Sequence, residues 1–218
     1  MKLIPFTAPA PALAALLLAL PTAAHADRVI DDFATPLSGV LMVGSSSGNP
    51  FTFDEETQTN VGSTIGGQRY THIVESTGQN SLVAAGIGGN SLGYSTASGP
   101  SGVLTLQYGG SFFLNANLSG DDAFEFMIDG DMDDGAVDRP VQLTITVHSG
   151  GTAQQQQYTT QIVDDGLYTI DFSEFDGINF SDVDFLSFEF DASQVSSIDF
   201  TLSDLGTVSN TYSRGGYR

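Results

Sequence analysis

Apolar and polar residues alternate along much of this chain, with the period of two that marks a strand buried on one face. Val141, Leu143, Ile145 and Val147 share one side of their segment, with Gln142, Thr144 and Thr146 on the other. Phe124, Phe126 and Ile128 repeat the pattern. So do Tyr168, Ile170 and Phe172, then Leu186, Phe188 and Phe190, and finally Ile198, Phe200 and Leu202. Weaker strands are predicted over 29–33, 51–53, 69–75, 81–87, 103–108 and 156–163. Turn signals separate these runs, among them Gly66-Gly67, Gly88-Gly89, Gly109-Gly110, Gly150-Gly151, Asp165-Gly166 and Asp176-Gly177. No long window has a helical period, and only a short helical turn is expected, over 173–175. Many short strands with one wet face each predict an all-β fold: a two-sheet antiparallel β-sandwich of the jelly-roll kind. Leu37 to Pro50 reads as a loop. The texture changes near residue 120, from Gly, Ser, Thr and Asn to Asp and Phe, and is read as one sandwich rather than two domains.

The N-terminus has its own pattern. Lys2 is the only charge before Asp27, an apolar run covers Ala12 to Leu20, and Pro21 precedes Ala24-His25-Ala26. This is the layout of a cleavable secretory signal peptide. The run is too short to span a bilayer, which takes ~20 apolar residues. The expected division is a signal peptide over 1–26, a single β-sandwich domain over 27–206 and a flexible C-terminal tail over 207–218. The expected location is extracellular or periplasmic, without membrane insertion. With no Cys in the chain, no disulfide supports the fold.

Charge narrows the partners. The chain has 26 Asp and Glu against 6 Lys and Arg, a formal net charge of −20. Nucleic acid and anionic membrane surfaces are poor partners, because binding phosphates takes clusters of Lys and Arg. An acidic surface keeps a protein soluble and also collects divalent cations.

The order of motifs carries a resemblance. Val29-Ile30-Asp31-Asp32-Phe33 opens the chain, and Ile65-Gly66-Gly67-Gln68-Arg69 follows. Tyr168-Thr169-Ile170-Asp171-Phe172, Phe185-Leu186-Ser187-Phe188-Glu189-Phe190 and Ile198-Asp199-Phe200 close it. The series resembles a loose group of secreted bacterial β-sandwich proteins, many with sorting tails of the PEP-CTERM type, a tail not seen here. Its closing part is similar to galactose-binding-like jelly rolls and carbohydrate-binding modules. The resemblance implies the sandwich fold. The absence of Trp departs from the usual glycan-stacking platform.

Candidate chemistry is sparse. Asp129, Asp131, Asp133, Asp134 and Asp138 crowd one glycine-flanked loop, and carboxylates at alternate positions suit the hard oxygen shell of Ca2+. The EF-hand pattern is not met, since Asp134 and Pro140 stand where Gly and Glu are needed. The competing reading is a solvated acidic hairpin. Asp31 and Asp32 are further ligand candidates if the first strand packs nearby, with Asp121, Asp122, Asp164 and Asp165 behind them. His72 and His148 are read as ordinary strand histidines. Gly44-Ser45-Ser46-Ser47-Gly48 matches G-x-S-x-G but lacks the strand-to-helix elbow that gives the motif meaning. Tyr70, Tyr94, Tyr108 and Tyr158 are candidates for a glycan face, because a tyrosine ring stacks while its hydroxyl stays wet.

The leading expectation is a non-catalytic extracellular structural, surface or matrix subunit with calcium dependence. It would self-associate by lending the strand at 27–33 or the tail at 212–218 to a neighbour's sheet edge. The alternative is a calcium-braced carbohydrate-binding module. A secreted hydrolase ranks third.

Overall fold

The computed structural model describes residues 28–44, 53–62, 64–75, 82–96, 102–110, 114–130, 140–151, 154–195 and 197–209. Thirteen strands run through them: β1 Arg28–Asp31, β2 Leu41–Val43, β3 Phe53–Thr59, β4 Gln68–Glu75, β5 Val83–Gly88, β6 Ser91–Thr96 and β7 Gly102–Tyr108. The rest are β8 Ala123–Gly130, β9 Val141–Ser149, β10 Gln154–Ile162, β11 Gly166–Asp171, β12 Val183–Asp191 and β13 Asp199–Val208. Two short 3-10 turns, Ile65–Gly67 and Phe172–Glu174, are the helical elements among the described residues.

All strand pairs are antiparallel, and they form two sheets. The seven-stranded sheet has the order β11-β8-β13-β6-β5-β2, with β1 also on β13. The six-stranded sheet has the order β10-β9-β12-β7-β4-β3. Each sheet mixes strands from both halves of the chain, so the change of texture near residue 120 divides nothing structurally.

The period-two pattern builds the core. Val141, Leu143, Ile145 and Val147 of β9 point inward, as do Leu186, Phe188 and Phe190 of β12. Phe124, Phe126 and Ile128 face them from β8. Phe124 meets Phe172, Phe175 and, across the sandwich, Phe188 edge-on, at centroid distances of 4.8, 5.6 and 5.6 Å. Edge-to-face contact brings the positive ring edge to the negative face, and burying each ring contributes about 1.5–3 kcal/mol.

Three strands depart from expectation. β2 lies inside the stretch expected as a loop. β3 extends well past Phe53, through a sequence with no further apolar residue. Its inward positions are polar and are satisfied by the segment that crosses over them. Asp54 accepts the Met42 amide at 2.9 Å, Glu56 accepts the Ser38 amide and hydroxyl at 3.0 and 2.6 Å, and Gln58 donates to the Pro36 carbonyl at 2.6 Å. β6 buries only Leu92, Tyr94 and Thr96, too short an alternation to register in the sequence. The expected tail also starts too early, because β13 continues to Val208. Asp204, at φ 53°, shifts its register so that one half pairs with β6 and the other with β1.

A buried ion pair joins the sheets. Arg69 of β4 donates to both Asp31 oxygens at 2.9 and 2.8 Å, and both side chains are fully buried. Asp31 also accepts the Phe33 amide at 2.8 Å and the Tyr108 hydroxyl at 3.0 Å. Arg69 spends its remaining donors on Gln58 and the Thr35 carbonyl. Burial pushes the Asp31 carboxyl above the ordinary carboxylate range, against the pull of Arg69 and these hydrogen bonds. Asp31 is therefore an internal staple and not a calcium ligand. β1, within the stretch expected to be lent to a neighbour, pairs with β13 of its own sheet.

Candidate functional site

Position parity in the six-stranded sheet sends Arg69, Thr71 and Ile73 inward and leaves Tyr70 and His72 outside. The same parity in β12 buries Leu186, Phe188 and Phe190 and turns Phe185, Ser187 and Glu189 outward. In β7 it turns Thr105 and Gln107 toward the outer face. Together these residues line an open groove of about 830 Å³ that crosses the sheet from Thr57 on β3 to Gln155 on β10.

Register explains its shape. One cross-strand row runs Thr57, Tyr70, Gln107, Ser187, Thr146, Gln157. The next runs Glu55, His72, Thr105, Glu189, Thr144, Thr159. The short side chains Thr105 and Ser187 sit low in the middle and are buried at 7 % exposure although they face outward. Longer side chains stand on either side. Tyr70 and His72 stack at 5.8 Å and 19° to make one wall. His148 and Phe185, 4.8 Å apart, make the other. Gly109 closes β7 with φ +99°; a Cβ there would sit 2.4 Å from the Asp184 carbonyl, so only glycine lets the chain turn at the groove's end.

The electrostatics are one-sided. The Tyr70 hydroxyl donates to Glu55 at 2.5 Å, and burial, then Glu55, holds the phenol up at about 12. Burial raises the Glu189 carboxyl, Asp191 adds to the rise and His72 opposes it. Burial pushes the His148 imidazole down against the opposing pull of Asp184. Among the described residues the Lys and Arg are Arg28 and Arg69 alone, one on β1 and the other buried. Among the described residues, the groove's lining carries no fixed positive charge.

Of the four candidate tyrosines, only Tyr70 lines this groove. Tyr94 and Tyr108 are core residues at 1 % and 0 % exposure, and neither lines this groove. Tyr94 packs on Phe200 and accepts the Gly102 amide, while Tyr108 holds Asp31. Tyr158 is half-buried on the inward side of β10, opposite Ile145 and near Phe175. Strand parity decides all three. The sequence reading missed Phe185, and a signal was present: it is the aromatic out of phase with Leu186, Phe188 and Phe190. His72 and His148 carried no such signal, because only strand order puts them on facing walls.

The acidic loop is placed only at its entrance. Asp129 is exposed, its carbonyl accepts the Thr201 hydroxyl at 3.1 Å, and Asp165 caps the following Gly130 amide at 3.1 Å. Asp131, Asp133, Asp134 and Asp138 lie outside the described residues, as do residues 1–26, Ser45 to Gly48 and the tail from 210. Asp121, which accepts the Thr207 hydroxyl at 2.6 Å, lies just beyond the opposite end of β8, about 26 Å away at ~3.3 Å per residue. Among the described residues, no three metal-ligating side chains gather. No helix among them is long and apolar enough to cross a membrane.

No protein family matches the sequence, and no curated protein matches it. Solved structures do. A family 11 carbohydrate-binding module of a cellulosomal cellulase of Clostridium thermocellum is 14 % identical, with a TM-score of 0.43 over 86 % of this chain and 96 % of its own. The family 11 module from the same organism, in complex with a β-1,3-1,4-mixed-linked tetrasaccharide, is 15 % identical, with a TM-score of 0.38 over 78 % and 96 %. A family 30 carbohydrate-binding module is 14 % identical, with a TM-score of 0.36 over 88 % and 92 %.

Proposed function

We propose that this chain is a secreted carbohydrate-binding protein that holds an uncharged glycan along the outer groove of its six-stranded sheet. The observation that carries the reading is the groove itself, with aromatic walls, Tyr70/His72 and Phe185/His148, around a polar floor of Thr105, Gln107 and Ser187. A sugar ring has an apolar C–H face that packs on an aromatic ring and hydroxyls that need both donors and acceptors. Glutamine, threonine and serine supply both, and Glu189 supplies a strong acceptor. With Glu189 inside, Glu55 at the rim and no arginine or lysine among the described lining residues, the groove disfavours sulfated and uronate polymers. This groove favours the binding role over the matrix role suggested by composition.

The test is affinity electrophoresis through a panel of neutral soluble polysaccharides, with a polyuronate beside them. Retardation by a neutral polymer and none by the polyuronate is expected. Tyr70→Ala and Phe185→Ala should each weaken binding about tenfold, since one aromatic contact is worth up to ~1.5 kcal/mol beyond its buried area. No retardation in any neutral gel, or full retardation of both variants, overturns the reading. Release of reducing ends from the bound polymer would make the protein a hydrolase.

A further inference from the structure

The two edges of the six-stranded sheet are built differently. At one edge β3 has Asp54, Glu55 and Glu56 in its seven residues. Acidic side chains on an edge strand repel another strand and guard against pairing. At the other edge β10, Gln-Gln-Gln-Gln-Tyr-Thr-Thr-Gln-Ile, has nine residues and no charge. It pairs with β9 across all nine positions without a bulge. Gln154 to Gln157 are exposed, and among the described residues no second strand covers the other side of β10. None of the usual guards is present: no lysine, no proline, no bulge and no shortening. The seven-stranded sheet ends otherwise, with the three residues of β2 and with β11, which finishes on Asp171. Outward side chains on β10 are already held in a row, since Thr159 bonds Thr144 at 3.2 Å and Gln157 bonds Thr146 at 3.1 Å.

We infer that β10 is a self-association edge and that its partner is β10 of a second copy of this chain. The acidity of the protein selects this place. Two copies with a net charge of −20 repel broadly, so contact is least costly along an uncharged strand whose amide side chains both donate and accept. Antiparallel pairing of a strand with itself is isologous, with the two-fold axis normal to the sheet. The register that uses all nine residues puts Tyr158 at the axis and sets Gln156 opposite Thr160. The dimer has one continuous twelve-stranded sheet, with both grooves opening on the same side. Two grooves facing one way bind a long polymer with avidity.

The experiment is sedimentation velocity of the purified chain against concentration and salt. A monomer–dimer equilibrium is expected, strengthened by salt as the repulsion is screened. Gln156→Lys/Thr160→Lys sets like charges opposite each other twice and should weaken association about tenfold or more. Neither residue lines the groove, so an unchanged melting temperature certifies the fold. The chain has no cysteine, so in Gln157→Cys/Thr159→Cys oxidation should trap a covalent dimer. A protein that is monomeric at every concentration and salt overturns the inference, as does a dimer indifferent to the lysines or a cysteine pair that links no chains. A dimer that binds no glycan would leave this interface standing and remove the function proposed above.

Discussion

Replacing Arg69 with methionine removes the only cation buried among the described residues while keeping most of the side-chain volume. Asp31 would then stay buried with two donors, the Phe33 amide and the Tyr108 hydroxyl. Gln58 and the Thr35 carbonyl would each lose the guanidinium they accept from. Breaking a fully buried pair on one side costs about 3–5 kcal/mol, a large share of the ~5–15 kcal/mol that holds a domain together. At ~2–4 °C per kcal/mol for a domain of this size, the melting temperature should fall by roughly 6–20 °C. The loss has a pH signature. Without Arg69 the Asp31 carboxyl is raised further, and an acid raised in the folded state costs stability as pH rises above its unfolded value. The deficit is therefore largest at neutral pH and shrinks as pH falls toward the ordinary carboxylate range, where Asp31 folds as the neutral acid. Asp31→Leu/Arg69→Met, which leaves no buried charge, should recover much of the loss. Thermal melts of the three variants across pH provide the assay. A shift under about 2 °C for Arg69→Met at neutral pH, or a deficit that does not change with pH, would refute the staple.

Two further outcomes follow from buried polar groups. Thr71 is fully buried between Arg69 and Ile73, and its hydroxyl finds no hydrogen-bond partner among the described residues. Thr71→Val keeps the shape and removes the orphan, so denaturant titration should show about 1 kcal/mol of added stability; a loss would mean that the hydroxyl is satisfied in solution. The Glu125 carboxyl is raised, by burial first and then by Asp204. Its charged form opposes folding, so Glu125→Gln should raise the melting temperature at neutral pH, with the gain vanishing as pH falls and wild-type Glu125 takes up its proton.

Alternation alone identified the strong strands, because burial on one face writes itself into every second residue. Val141 to Val147, Phe124 to Ile128 and Leu186 to Phe190 are core strands for that reason, and together with the glycine turns they determine an all-β sandwich. Alternation also assigns faces within a strand, so Phe185 was legible as an outward aromatic. Edge strand β3 was not legible, since its inward Asp54, Glu56 and Gln58 are satisfied by a segment 12 to 22 residues away in the chain. The site depended on more still. A groove exists only because strand order β9-β12-β7-β4 brings His148, Phe185, Thr105 and Tyr70 onto one outer face, and register puts short side chains between tall ones. The same assembly drew Tyr94 and Tyr108 inside, and it paired Asp31 with Arg69 across the sandwich. Periodicity is a local property of the chain, whereas strand order and register come from packing the whole core at once, and a binding surface is made of those.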